Sequence, residues 1–350
     1  MQRLLIYGAN GYTGRLIARA AAECGLAPVL AGRSRESVSA FARELGCEFL
    51  AFELSDPSRL ATALAGCSVV IHCAGPFSAT AAPMIAACIA ARVHYTDITG
   101  EIEVFEHAFR QDAAARSAGI VVCPGTGFDV VPTDCLALTL AGRLPDATRL
   151  ALGFDSRSSL SRGTAATSVQ GLGHGSCVRE GGELRRIALG SRSRRIDFGA
   201  GEKLATAIPW GDVSTAFRTT GIPNVEVYMP VSPKALANLR RLGRLGWLLR
   251  RQFVQDFLKS RIAKRAPGPD EAAREQTPVH VWGEARDAAG RRATARVQVP
   301  NGYTLTRDAA VAIAERLLSG NAPAGFTTPA RLMGSDFVTR LPGVSQVRLD

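Results

Sequence analysis

From the first residues to about Cys123, solidly apolar runs of strand length alternate with segments of helical spacing. The pattern predicts strands at Arg3–Tyr7, Val29–Ala31, Glu48–Phe52, Val69–Cys73, Val93–Asp97 and Ile120–Cys123. Helices are predicted between them at Gly14–Glu23, Arg35–Leu45, Pro57–Ala65, Thr80–Ala91 and Glu101–Ala118. These strands lack the in-out alternation of a sheet with one wet face. Helices must therefore cover both faces, which defines an α/β fold with a doubly wound, parallel sheet of Rossmann type. After Pro124 the rhythm changes to a helix near Val131–Ala141, a strand near Leu150–Phe154, Gly/Ser-rich sequence and a strand-like run at Asn224–Val231. Alternating positions in Val279–Arg286 and Ala293–Val299, joined by a turn ending at Gly290, predict a hairpin of a mixed α+β domain. Thr306–Leu318 reads as a helix capped by Thr306 and ended by Gly320. The expected division is a Rossmann domain over 1–135, a substrate and dimerisation domain over 136–324, and a segment, 325–350, that returns to the first domain.

Composition narrows the class without changing that outline. The 350 residues are 46% hydrophobic and 21% charged, which excludes wholesale disorder and low-complexity filaments. The net charge of +11 is mostly local: nine basic residues and Asp256 alone lie between Leu236 and Arg265. In that stretch Leu239, Leu242, Leu249, Phe253 and Phe257 recur at helical spacing, so 236–265 reads either as a helix packed on the core or as one lying on an anionic lipid surface. No nucleic-acid motif or aromatic interleaving accompanies the charge, and no nucleic-acid partner is expected. The eight cysteines have no CxxC spacing and read as reduced thiols. The first residues lack a cleavable apolar region, and the uncharged window Ser68–Ala91 is broken by Gly75, Pro76 and Pro83. A cytoplasmic protein is expected, with peripheral membrane contact through 236–265 as the open alternative.

The chemistry starts at the first turn. Gly8, Asn10, Gly11, Tyr12, Thr13 and Gly14 follow the first strand and open the first helix, where a phosphate can approach the backbone and meet unpaired N–H donors. The second strand ends not in an acidic residue but in Arg33-Ser34-Arg35. A carboxylate there would bind a free ribose 2′-hydroxyl, whereas two guanidiniums flanking a hydroxyl suit a 2′-phosphate, so NADP is favoured over NAD. Ala74, Gly75, Pro76 and Phe77 after the fourth strand are assigned to the nicotinamide half. Asp56 reads as a helix cap as readily as an adenine contact. Candidate catalytic residues are Asp97 at the end of the fifth strand, Asp129 in the Gly125–Asp134 loop, and His174 among glycines; for each, a structural role competes. No Tyr-x-x-x-Lys, GxSxG, HExxH or Walker motif is present, so the proton relay of short-chain dehydrogenases is missing and hydrolase and nucleotidase readings lose ground. No metal site is expected.

GANGYTGRLIA from Gly8, LAGRSRESV from Leu30, CAGPF from Cys73, HYTDITGE from His94, GTGFDVVPTD from Gly125, SRGTAATS from Ser161, VPNGYTLT from Val299 and GFTTPARLMGSDFVTRLPG from Gly325 together resemble the saccharopine dehydrogenase-like oxidoreductases, a group that includes the trans-acting enoyl reductases. The resemblance implies an NADP-binding Rossmann domain, a mixed second domain and a C-terminal segment returning to the first. Two functions follow as expectations. One is an NADP-dependent reductase acting on a C=C or C=N of a hydrophobic, lipid- or polyketide-like small molecule, a candidate homodimer. The other is a non-catalytic NADP-binding sensor or lipid-surface protein.

Overall fold

The computed structural model describes residues 3–156, 175–244 and 270–350, together with Arg251, Val254 and Gly268. The chain divides into two compact units, one made of residues 1–131 and 303–334, the other of 132–302 and 335–350. This differs from a division at 135 and 324. The return to the first unit begins at Tyr303, and the last residues belong with the second.

The first unit contains β1 (Leu4–Tyr7), α1 (Tyr12–Glu23), β2 (Val29–Gly32), α2 (Arg35–Leu45), β3 (Phe49–Ala51), α3 (Pro57–Leu64), β4 (Val69–His72), α4 (Phe77–Ala91), β5 (His94–Asp97), α5 (Ile102–Arg110), α6 (Asp112–Ala118) and β6 (Val121–Cys123). The strand order is β3-β2-β1-β4-β5-β6, extended beyond β6 by Gly325–Phe326, and every pairing is parallel. Every residue of β1, β2, β4 and β6 is buried, as strands covered on both faces require. Their Leu, Ile and Val side chains each contribute roughly 1.5–3 kcal/mol of burial. The chain leaves β1 for β2 and β3, then crosses back to β4, so a crevice opens at the carboxyl ends of β1 and β4.

Local chemistry sets the helix starts. Ser34 caps α2, accepting from Ser37 N at 3.3 Å. Asp56 caps α3, accepting from Arg59 N at 3.0 Å with Pro57 behind it. The helix expected over 101–118 is two helices that meet at Gln111. Asp112 opens the second and binds both Phe326 N, at 2.7 Å, and Arg116 Nε, at 2.8 Å.

The second unit holds α7 (Val131–Arg143), β7 (Ala147–Asp155), β8 (Ser176–Glu180), β9 (Glu183–Ile187), β10 (Ser193–Asp197), β11 (Glu202–Ala207), α8 (Asp212–Thr220), β12 (Asn224–Pro230), α9 (Pro233–Arg244), α10 (Glu271–Glu275), β13 (Val279–Asp287) and β14 (Arg292–Val299). A mixed sheet runs β10-β11-β12-β7-β13-β14 and ends on Arg348–Leu349; among the described residues only β12 and β7 pair in parallel. Leu136 and Leu140 of α7 lie over Gly283, where a Cβ would come within 2.8 Å of Leu140 Cδ1. A second cluster joins Ile196, Ala205, Ala207, Tyr228, Ala151 and Trp282 of this sheet with Phe198.

The return segment supplies α11 (Gly302–Leu318), β15 (Gly325–Phe326) and α12 (Pro329–Met333). Thr306 does not cap α11: it lies one turn inside the helix, buried, with Oγ1 accepting from Phe128 N at 2.9 Å. The basic stretch 236–265 is described only through Arg244 and at Arg251 and Val254. Within α9, Leu236 is buried against Gly190, whose carbonyl accepts from Arg240 Nε at 2.8 Å. Among the described residues no helix is long and apolar enough to cross a membrane, and the eight cysteines form no disulfide.

Candidate active site

The β1–α1 turn is tight because two glycines remove side chains from places already filled. Gly8 has φ +82°, and a Cβ on it would lie 2.8 Å from Ala74 N, just beyond β4. A Cβ on Gly14 would lie 2.2 Å from Gly8 O, so the first turn of α1 folds directly onto the loop. Gly11 is exposed at the N-cap of α1 and supplies no side chain to occupy the first-turn N–H donors. Asn10 is half-buried, its Oδ1 against Gly32 at the end of β2. Thr13 is half-buried, and the Tyr12 ring meets Tyr303 of α11 edge-on, 5.0 Å between centroids.

Beyond β2, Arg33, Ser34 and Arg35 are exposed. Ser34 is spent on the α2 cap, while neither guanidinium pairs with a carboxylate among the described residues. Other arginines of this unit do: Arg3 binds Glu48, and Arg15 and Arg19 bind Glu44. Arg35 lies over the Phe49 ring, 5.5 Å from its centroid. Backbone donors at the crevice and two uncommitted guanidiniums one strand away fit a pyrophosphate and a ribose 2′-phosphate.

A second cluster gathers at the carboxyl ends of β4, β5 and β6. After β4 the chain passes Ala74, a cis Gly75–Pro76 peptide and Phe77. Phe77 N and Ser78 N donate to Glu101 Oε1 and Oε2 at 2.9 and 2.8 Å, so a carboxylate from the foot of α5 caps α4. His72, the last residue of β4, is fully buried, with Nε2 3.0 Å from Thr80 Oγ1 and Nδ1 without a partner. Burial pushes its pKa down to about 3, so the ring is neutral.

Asp97 is also fully buried. Its carboxylate accepts from Tyr95 Oη at 2.7 Å, Thr99 N at 3.0 Å and Gly125 N at 2.8 Å, while its carbonyl accepts from Thr126 N at 2.7 Å and Oγ1 at 2.9 Å. Burial raises its pKa to about 6 against the lowering effect of those donors. Asp97 clamps the end of β5 to the loop after β6. Asp129 lies in that loop, half-buried, and Gly100 makes room for it: a Cβ on Gly100 would come within 2.5 Å of Asp129 Oδ2. Burial pushes the Asp129 carboxyl up to about 7, where it can give or take a proton at neutrality.

His174 lies outside the described residues. The glycine turn, the arginine pair, Asp97 and Asp129 all carry signals visible in the sequence. The Glu101 cap on α4, the buried His72 and the Thr306 contact do not, since each depends on a partner distant along the chain or on burial.

The first unit is thus a dinucleotide-binding Rossmann domain with an ionisable cluster on the same sheet edge. Residues 4–123 match the family described as the saccharopine dehydrogenase NADP binding domain. A Mycobacterium tuberculosis protein named provisionally as a trans-acting enoyl reductase is 33% identical over 189 residues, 48% of this chain and 44% of that protein. The trans-acting enoyl reductase of Mycobacterium bovis is 29% identical over 219 residues, 57% of this chain and 51% of its own. The chain therefore spans about half the length of the curated relatives it matches. In fold, it is similar over the full length of both chains to apo saccharopine dehydrogenase (L-Glu forming) from Saccharomyces cerevisiae, with a TM-score of 0.69 at 11% identity.

Proposed function

We propose that this protein is an NADPH-dependent reductase acting on a C=C conjugated to a carbonyl in a hydrophobic small molecule, with Asp129 as the proton donor. The observation that carries the reading is the glycine turn at the β1–β4 crevice, which lies within the matched NADP-binding region. When bound, the cofactor supplies the hydride. The protein's part is to hold it through Gly8–Gly14, Arg33 and Arg35, and to deliver a proton to the carbon that becomes negative. Asp97 cannot readily do this, because its carboxylate is already bonded to Tyr95, Thr99 and Gly125. Asp129 is the carboxyl whose pKa matches the task. The names of the relatives, matched over about half of their length, support C=C over C=N as the target.

The test is NADPH oxidation, followed by its near-ultraviolet absorbance, against a panel of enoyl thioesters and imines. Turnover of enoyl thioesters, reduced roughly a hundredfold or more in Asp129→Asn with NADPH affinity intact, is the expected result. NADPH binding without turnover of any panel member would favour the sensor alternative.

A further inference from the structure

The second unit contains a cleft of about 460 Å³ that the redox chemistry does not use, and all of its lining residues belong to that unit. Its floor is Leu150 and Ala151 of β7, and its walls hold five arginines against three glutamates, a surplus of two positive charges. The glutamates are committed. Arg192 binds both Glu180 and Glu226, while Glu284, buried, takes Arg194 at 3.0 Å and Arg286 at 2.8 Å. Arg179 is buried and donates to the carbonyls of Val213 and Gly182. That leaves Arg149, exposed on β7, whose guanidinium donates no hydrogen bond among the described residues and acts on Glu180 only through its charge.

Strand register makes this arrangement costly unless something anionic is present. Arg149 is the direct partner of Arg286 on β13, and Arg286 is the direct partner of Arg292 on β14, so the register sets three arginines next to one another on one face across three strands. Like charges directly opposite one another on neighbouring strands destabilise a sheet. A sequence that breaks this rule three strands wide, beside a cavity of ligand size, marks a site. We propose that the cleft binds a dianionic phosphoryl group, free or at the end of an ester, held by Arg149 with Arg286 and Arg192, and with the glutamates fixing the arginine forks in place.

The experiment is calorimetric titration of the NADPH-saturated protein with inorganic phosphate and with glycerol phosphate at matched ionic strength, so that the cofactor's own phosphate site is filled. Saturable binding is expected, weakened at least tenfold in Arg149→Ala and partly in Arg149→Lys, with NADPH affinity unchanged in both. Arg292→Ala, outside the cleft lining, should leave it within about twofold. Tighter binding of the ester names a phosphorylated metabolite as the ligand; tighter binding of phosphate names the free ion. No heat beyond that of matched chloride, a preference for succinate over both phosphates, or full retention in Arg149→Ala would each overturn the proposal. Because NADPH binding and turnover are read on the same variants, failure here is distinct from failure of the reductase reading.

Discussion

Asp97 and Asp129 lie at the same sheet edge and differ in what surrounds the carboxyl. Asp97 receives three donors, and an asparagine there would turn an amine toward one of them. Asp97→Asn is therefore expected to lose about 1–3 kcal/mol of stability in urea denaturation, largely independent of cofactor. At Asp129 burial raises the pKa further, to about 7. A carboxyl whose folded pKa exceeds its unfolded value holds its proton more tightly when folded, so it costs stability as pH rises from about 4 to 7. Asp129→Asn cannot titrate and should gain on the wild type across that window, with the gain constant above it. In catalysis the sign is the same: the proton donor is lost above about pH 7, so kcat/KM for reduction should fall about tenfold per unit there. A flat profile across that range would remove Asp129 from the role.

At the level of elements, the alternation of apolar runs located nearly every strand of the first sheet, because parallel strands buried on both faces have no choice but to be apolar. What it could not locate depends on long-range partners. No glycine or proline marks the break at Gln111; Asp112 is turned to β15, more than two hundred residues away, and α6 starts from that bond. Thr306 has the composition of a cap but bonds Phe128 N. At the site, the phosphate turn and the arginine pair were legible because they need particular residue types at fixed spacing, whereas the Glu101 cap on α4 was not. Replacing Glu101 by alanine strands the Phe77 and Ser78 donors and should cost about 0.5–2 kcal/mol, measurable by chemical denaturation. Gly14→Ala puts a methyl 2.2 Å from Gly8 O, which backbone cannot relieve locally; loss of NADPH binding is expected in a fluorescence titration.

Over the whole molecule, the NADP-binding unit is discontinuous, since α11, β15 and α12 return to it after the second unit. A chain ended at Gly302 would lose the Thr306 bond to Phe128 and the β15 strand beside β6, and should bind NADPH weakly or not at all despite retaining every cofactor residue. NADPH binding by that unit needs two phosphate sites, one at the glycine turn and one at the arginine pair. That requirement is tested most directly by titrating NADPH and NADH into the purified wild type, Arg33→Ala and Arg35→Ala while following nicotinamide fluorescence. Each charge-assisted contact is worth about 1.5–3 kcal/mol, so the wild type should prefer NADPH at least tenfold, and each variant should lose roughly tenfold to hundredfold for NADPH with little change for NADH. Equal affinity for the two cofactors, or variants that bind NADPH as the wild type does, would contradict it.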